Sequence, residues 1–292
     1  MTPAVESNPA AGDIPADGMP AAASAAAGRD TGDAFRAPLV LLLPALLGLA
    51  FLVLPPAALL LRTPWAQLPR RLTAPGVLDA LWLSLVTATL ATLLCLLLGV
   101  PLAWLLSRTR FPGRRLVRAL VTVPLVLPPV VGGVALLLVF GRHGLLGGWL
   151  DARFGLTLPF TTSAVVLAEA FVAMPFLVIS VSGALRAADR GLEEAAATLG
   201  AGRWTTFRRV TLPLVGPGVA AGAVLCWARA LGEFGATITF AGNFPGRTQT
   251  MPLAVYLAME TDPQAAIVLS VLLLAVSVTI LAVLREKWMT SP

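Results

Sequence analysis

The chain has 292 residues, of which 57% are hydrophobic and only 12% charged, and its mean hydropathy is +0.85. A soluble domain carries roughly a quarter charged residues, so a water-soluble globular fold is excluded. The net charge of +6 is almost wholly arginine, with Lys287 the sole lysine. No basic patch is interleaved with aromatic residues, so the surplus reports membrane topology rather than nucleic-acid binding.

Residues 1 to 36 are rich in Ala, Gly, Pro and Asp, and five acids face two arginines there. Such a segment cannot bury a core, and a disordered acidic cytoplasmic tail is expected. It lacks the basic start of a signal peptide, so the apolar run that follows reads as an uncleaved first span. Six spans are expected, at 38–61, 78–106, 116–140, 162–185, 214–240 and 264–284. Each supplies the ~20 residues that cross the hydrocarbon, and the second, the longest, is expected to tilt or project. The six form one membrane domain over 37–288, followed by a short C-terminal tail, 289–292. Prolines punctuate the spans, and the stretch from Pro124 to Gly133 is expected to bend. Small residues from Gly216 to Ala223 give the fifth span a surface for close helix packing.

Basic residues orient the spans. The N-terminal tail, the loops 107–118 and 186–213 and the C-terminal tail carry 14 of them, against 6 on the other side. Both termini are therefore expected in the cytoplasm of a multi-pass cell-membrane protein.

The loop 186–213 is long, polar and helix-patterned. Asp189 can cap a helix from about Arg190, with Glu193 and Glu194 in its early turns where the helix dipole favours acid. Gly200 and Gly202 break that helix, and a second one restarts at Arg203 and meets the fifth span at Pro213. Leu192, Leu199, Trp204 and Phe207 are too apolar for a solvated loop, so a helix–turn–helix that docks a cytoplasmic partner is expected. The string Glu194-Ala195-Ala196, then Gly200, then Val210-Thr211-Leu212-Pro213 resembles the EAA signature of ABC importer permeases.

That resemblance covers about residues 38–288. It implies an all-α integral membrane fold of the type I importer kind, with six transmembrane helices. Glu194, Ala195, Ala196 and Gly200, closed by Leu212 and Pro213, would couple to an ATP-hydrolysing subunit. A second stretch narrows the family. Ala228-Arg229-Ala230-Leu231-Gly232-Glu233-Phe234-Gly235 resembles a segment shared by molybdate and sulfate permeases. Its continuation through Ala236-Thr237-Ile238-Thr239-Phe240, Gly242-Asn243 and Thr248-Gln249-Thr250 is closer to the molybdate and tungstate group. The implied partners are a second copy of the chain, two cytoplasmic ATP-binding subunits and an extracytoplasmic oxyanion-binding protein.

Within the membrane, Arg229 and Glu233 stand four apart and can pair on one helix face. Each would cost roughly 2.5–3.5 kcal/mol against lipid, so they face protein or a water-filled path. A structural ion pair and a path-lining or gating pair both fit. Glu169 is a third intramembrane acid. The outer loop 241–252 offers Asn243, Arg247, Thr248 and Thr250 as donors for a tetrahedral dianion. The pathway or gate candidates are thus Arg229, Glu233, Thr237, Thr239, Asn243, Arg247, Thr248 and Thr250. No cofactor is expected on this chain. It has no P-loop motif, so ATP and Mg belong to a partner, and Cys95 and Cys226 offer neither a disulfide framework nor a zinc site. No catalytic constellation is present, which favours a transport subunit over an enzyme. The rival readings are a sulfate or thiosulfate permease and an ion-coupled transporter relaying protons through Glu169, Arg229 and Glu233.

Overall fold

The computed structural model describes residues 39–289, and helix is the only regular structure among them. The expected acidic tail 1–36 and residues 290–292 lie outside the described residues. The chain divides into two compact units, 1–55 and 56–292. The first contributes most of α1 (Leu39–Arg62), which is apolar up to its closing Arg62.

The second unit holds α2 (Leu68–Leu72), α3 (Val77–Arg108), α4 (Arg114–Val126), α5 (Pro129–Phe140), α6 (Gly147–Phe154) and α7 (Thr162–Ala187). It continues with α8 (Gly191–Thr198), α9 (Arg203–Thr206), α10 (Leu212–Leu231), α11 (Gly235–Phe240), α12 (Met251–Thr261) and α13 (Pro263–Met289). Among the described residues, five helical runs are long and apolar enough to cross a bilayer, and α4 with α5 makes a sixth if the bent pair is one span.

Side-chain contacts fix the directions. Thr87 meets Glu169, Cys95 meets the Ala170 carbonyl and Gly99 lies against Leu177 and Val178, so α3 and α7 run parallel. The chain must return between them, and the α4–α5 pair makes that return. It starts where Arg114 reaches the Leu106 carbonyl at the end of α3, and it ends where Leu136 packs with Ala164 and Val165 at the start of α7. Gly218 abuts Ala184 and Gly222 abuts Ser180, so α10 runs antiparallel to α7. At the start of α13, Asp262 pairs with Arg71 of α2 at 2.6 Å, and that guanidinium holds the Asp262 carboxyl below its usual range.

The packing follows from small residues. Ala88, Ala91 and Cys95 of α3, Ala170 and Ala173 of α7, and Cys226 and Ala230 of α10 are all buried in one cluster. Without a hydrophobic force between helices in lipid, such residues let backbones approach and gain dispersion contacts. Both cysteines are free and buried, as small hydrophobes. Only part of the expected small-residue stripe is used, since Gly216 meets no neighbour.

The bend expected within Pro124–Gly133 is a full break, and two further expectations need correction. The third span is not continuous: α4 and α5 are bent by 119° at Leu127-Pro128. Pro128 and Pro129 cannot donate to the preceding turn, and Leu127 before a proline is driven to extended backbone, ψ 133°. The fifth span is not one helix over 214–240. It begins at Arg203, ends at Leu231 and breaks at Gly232-Glu233-Phe234 before α11. The second helix of the expected helix–turn–helix is therefore the root of that span and not a separate element. The outer loop also carries α12, which starts at Met251 with Pro252 in its first turn.

Candidate functional site

Two places carry chemistry, and the first is the connector 188–211. Asp189 Oδ1 accepts from the Gly191 N–H at 2.8 Å and starts α8. Glu193 and Glu194 occupy its first turn, where the helix dipole favours acid. The helix closes in a Schellman motif: Gly200 N–H bonds the Ala197 carbonyl and Ala201 N–H the Ala196 carbonyl, both at 3.0 Å. That motif needs a left-handed residue, and Gly200 has φ +84°. The spacing from Glu194-Ala195-Ala196 to Gly200 is thus one helical turn plus its cap.

After Gly202 the helix restarts as α9 and passes through a wide π turn, Phe207–Thr211, into α10. Pro213 offers no N–H to Arg209, and Leu212 N–H reaches back five residues to the Phe207 carbonyl. Glu194, Ala195 and Gly200 are exposed and Ala196 is half-buried. Leu199 is 89% and Trp204 70% exposed. Leu212 is half-buried and Pro213 exposed at the α10 root.

Residues outside the signature hold this surface in place. Arg108 Nε and Nη2 donate to Glu193 Oε1 at 3.1 and 2.9 Å, and Thr211 Oγ1 donates to the same oxygen at 3.0 Å. One carboxylate oxygen therefore ties α8 to the end of α3 and to the π turn before α10. Arg190 Nη2 adds a 3.5 Å bond to the Ser107 carbonyl. Sequence reading missed Arg108 and Thr211 and took Glu193 only as a dipole partner. The available signal was Arg108 at the end of the longest span.

The second place is the pair of helix breaks. Gly133 of α5 lies against α11: a Cβ there would come within 2.7 Å of Thr239 Cβ and 2.8 Å of the Ala236 carbonyl. A Cβ on Gly235 would sit 2.8 Å from Pro129 Cβ. The breaks after α4 and after α10 therefore adjoin, backbone to backbone. Irregular backbone at membrane depth is tolerated only where protein buries it or it lines water, so lipid is excluded from this seam.

Glu233 organises the seam. It is 1% exposed; Oε1 accepts from the Ala236 N–H at 2.8 Å, capping α11, and Oε2 pairs with Arg229 Nη2 at 2.6 Å. Both oxygens are committed, so the pair holds the break and no free anion site remains on it. Glu169 is equally buried, with Oε1 accepting from Thr87 Oγ1 at 2.9 Å and Oε2 without a protein partner. Glu169 and Glu233 both fall between two apolar clusters, with Ala170 and Leu231 in one and Ala168 and Ala236 in the other.

The other candidates divide. Thr237 and Thr250 are buried, and neither hydroxyl has a protein partner; the buried Asn243 Oδ1 also lacks one. Thr237 and Thr250 hydroxyls can donate to an oxyanion. Thr239 Oγ1 is spent on the Gly235 carbonyl, and Thr248 Oγ1 accepts from the Phe244 N–H and closes a tight loop. Arg247 is exposed on that loop. The segment does not lie in solvent: Thr248, Gln249 and Thr250 are buried, and Met251 N–H donates to Ser84 Oγ of α3 at 2.7 Å.

Comparison with known proteins agrees with this architecture. Residues 96–291 match the family described as binding-protein-dependent transport system inner membrane component. The chain is 52% identical over 235 residues to the molybdenum transport system permease protein of Mycobacterium tuberculosis, covering 80% of this chain and 89% of the relative. The corresponding protein of Escherichia coli is 43% identical over 211 residues, covering 72% and 92%. A sulfate transport system permease protein of Escherichia coli is 38% identical over 234 residues, covering 79% and 84%. Among solved structures, a bacterial ABC transporter involved in alginate import aligns with TM-score 0.70 at 17% identity, covering 86% of this chain and 94% of that one. At that identity the likeness is one of fold. A bundle of membrane-length helices, broken in two adjoining places and carrying an exposed connector, joins these matches in one conclusion: the chain belongs to the family of binding-protein-dependent transport system inner membrane components, the multi-pass permease subunits of ABC importers.

Proposed function

We propose that this chain is the permease subunit of an ATP-driven importer of molybdate, with tungstate as a second substrate. The observation that carries the substrate is its 52% identity over 80% of its length to a molybdenum permease, against 38% to a sulfate permease. Two copies form the pore, two cytoplasmic subunits bind ATP and its magnesium ion, and an extracytoplasmic oxyanion-binding protein delivers the substrate. No catalytic step falls to this chain.

The connector 188–211 is the coupling element in this reading. Leu199 and Trp204 are the apolar contacts, and Glu194, Ala195, Ala196 and Gly200 set the docking surface. The ten arginines at this end of the second unit, five from Arg108 to Arg118 and five from Arg186 to Arg209, support a cytoplasmic position for it, and with it both termini inside. ATP binding and hydrolysis would move α8, and the Glu193 tie would carry that motion to α3 and α10. Only contacts that differ between the outward-open and inward-open states can drive the switch. The α5–α11 seam lies beside the path, where Thr237 and Thr250 meet the passing dianion.

The test is uptake of labelled molybdate into vesicles holding the chain with its ATPase subunit. Uptake should need ATP and should resist excess sulfate. Strong inhibition by sulfate would move the substrate to sulfate, and accumulation by vesicles holding this chain alone would remove the ATP-driven reading. Gly200→Asp should insert normally yet lose co-purification with the ATPase, and normal uptake in that variant would count against docking there.

A further inference from the structure

At the corner between α3 and α4, Arg110, Arg114, Arg115 and Arg118 line one pocket of about 450 Å³ with Phe111 and Gly113. Among the described residues none of these four guanidiniums forms an ion pair; the acids that pair do so with Arg71, Arg108, Arg142 and Arg229. Two of them are held in place: Arg114 Nε and Arg118 Nη2 both donate to the Leu106 carbonyl, at 2.8 and 3.3 Å. Their remaining N–H groups stay available. Clustered like charges repel, and the repulsion grows as the surrounding dielectric falls toward a membrane boundary. An anion in the pocket reverses its sign. Guanidinium forks match paired oxygens of a tetrahedral oxyanion.

The same helix carries a second feature. Leu116, Leu120 and Val123 are 63%, 56% and 39% exposed, whereas Val117 and Val121 pack inward against the core. The spacing i, i+4, i+7 makes one outward apolar stripe that begins beside Arg115. A charged pocket at one end of an exposed apolar stripe has the layout of an interfacial helix.

We propose that this corner binds a phosphate-class oxyanion, supplied by the headgroup of an anionic phospholipid whose acyl chain covers Leu116, Leu120 and Val123. A free phosphate or molybdate ion shares the oxyanion chemistry but leaves the stripe uncovered.

Native mass spectrometry of the full-length chain, titrated with phosphatidylglycerol, phosphatidylcholine or inorganic phosphate, tests this. The wild type should retain phosphatidylglycerol in preference to phosphatidylcholine. Each arginine removed should cost about fivefold in that preference, the equivalent of about 1 kcal/mol, so Arg115→Gln with Arg118→Gln should abolish it. Leu116→Ser with Leu120→Ser should weaken lipid retention and leave phosphate binding intact. Phosphate bound in the wild type with no lipid preference would keep the oxyanion site and assign it to a free anion. Equal retention of both lipids with no phosphate bound, or undiminished preference in a monodisperse arginine variant, would overturn the site.

Discussion

The connector and the seam display their polar and apolar groups in opposite ways. On the connector, Leu199 and Trp204 stand 89% and 70% exposed on helices otherwise tied down. At the seam, Thr237, Glu169 and Glu233 are sealed to within 1% of exposure, and two of them keep an oxygen without a protein partner. An apolar group left outside asks for another protein; a polar group left inside asks for water or a solute. Both are mismatches between residue and surroundings, and they point to different ligands.

The largest expected effect sharpens that contrast at the seam. Gly133→Leu has no space even for its Cβ against Thr239 and the Ala236 carbonyl, whereas a Cβ on Gly216 meets no atom within 4 Å. The first should cost about 3 kcal/mol or more and appear as loss of the monodisperse peak in detergent. The second should elute like the wild type. Equal behaviour of the two would break the account of the seam.

Next comes Glu193→Ala, which leaves Arg108 without its acid when that side chain is only 7% exposed. Removing one partner of a buried pair costs about 3–5 kcal/mol, a figure that the 19% exposure of Glu193 brings toward its lower end. Melting temperature should fall. Glu194→Ala, on the exposed neighbour, should leave melting unchanged and weaken only ATPase co-purification. If both lower melting equally, the division between tie and contact surface fails.

Thr237→Val separates binding from folding. The hydroxyl has no protein partner, and exchanging an unsatisfied hydroxyl for a methyl group of similar shape is close to neutral for stability. Melting should hold while the KM for molybdate rises. A fall in melting with unchanged KM would make Thr237 a structural residue.

The smallest effect concerns the Arg71–Asp262 pair. The guanidinium lowers the Asp262 pKa below its ordinary 3.8, so its contribution is present above that value and is lost as pH falls through the folded value. Asp262→Asn should lower melting slightly and evenly from pH 5 to pH 8, a plateau expected about one unit above the ordinary pKa, and the difference should vanish in stronger acid. A penalty that grows below that range would reverse the sign.

Much of this was legible in the residues. Apolar run length located the spans because burial in lipid needs a fixed number of residues. Asp189 and Gly200 marked the ends of α8 because their local chemistry is specific to helix termini. The bend at 127–128 was legible from its prolines though its 119° angle was not, and the break at 232–234 was not legible at all, since hydropathy reads composition and takes no account of direction. Glu233 looked like half of an ion pair because Glu is not among the preferred caps, yet capping α11 is one of its two tasks. The Arg108–Glu193 tie joins residues 85 apart, and nothing local announces it. Thr250 before Met251-Pro252 is a usable start signal for α12.

The three donors converging on Glu193 Oε1 have a consequence for assembly. They set the pose of α8 before any neighbour arrives, so association need not order a floppy segment. In the proposed coupling role, the Leu199 and Trp204 side chains would then contact the nucleotide-hydrolysing neighbour with little entropy forfeited.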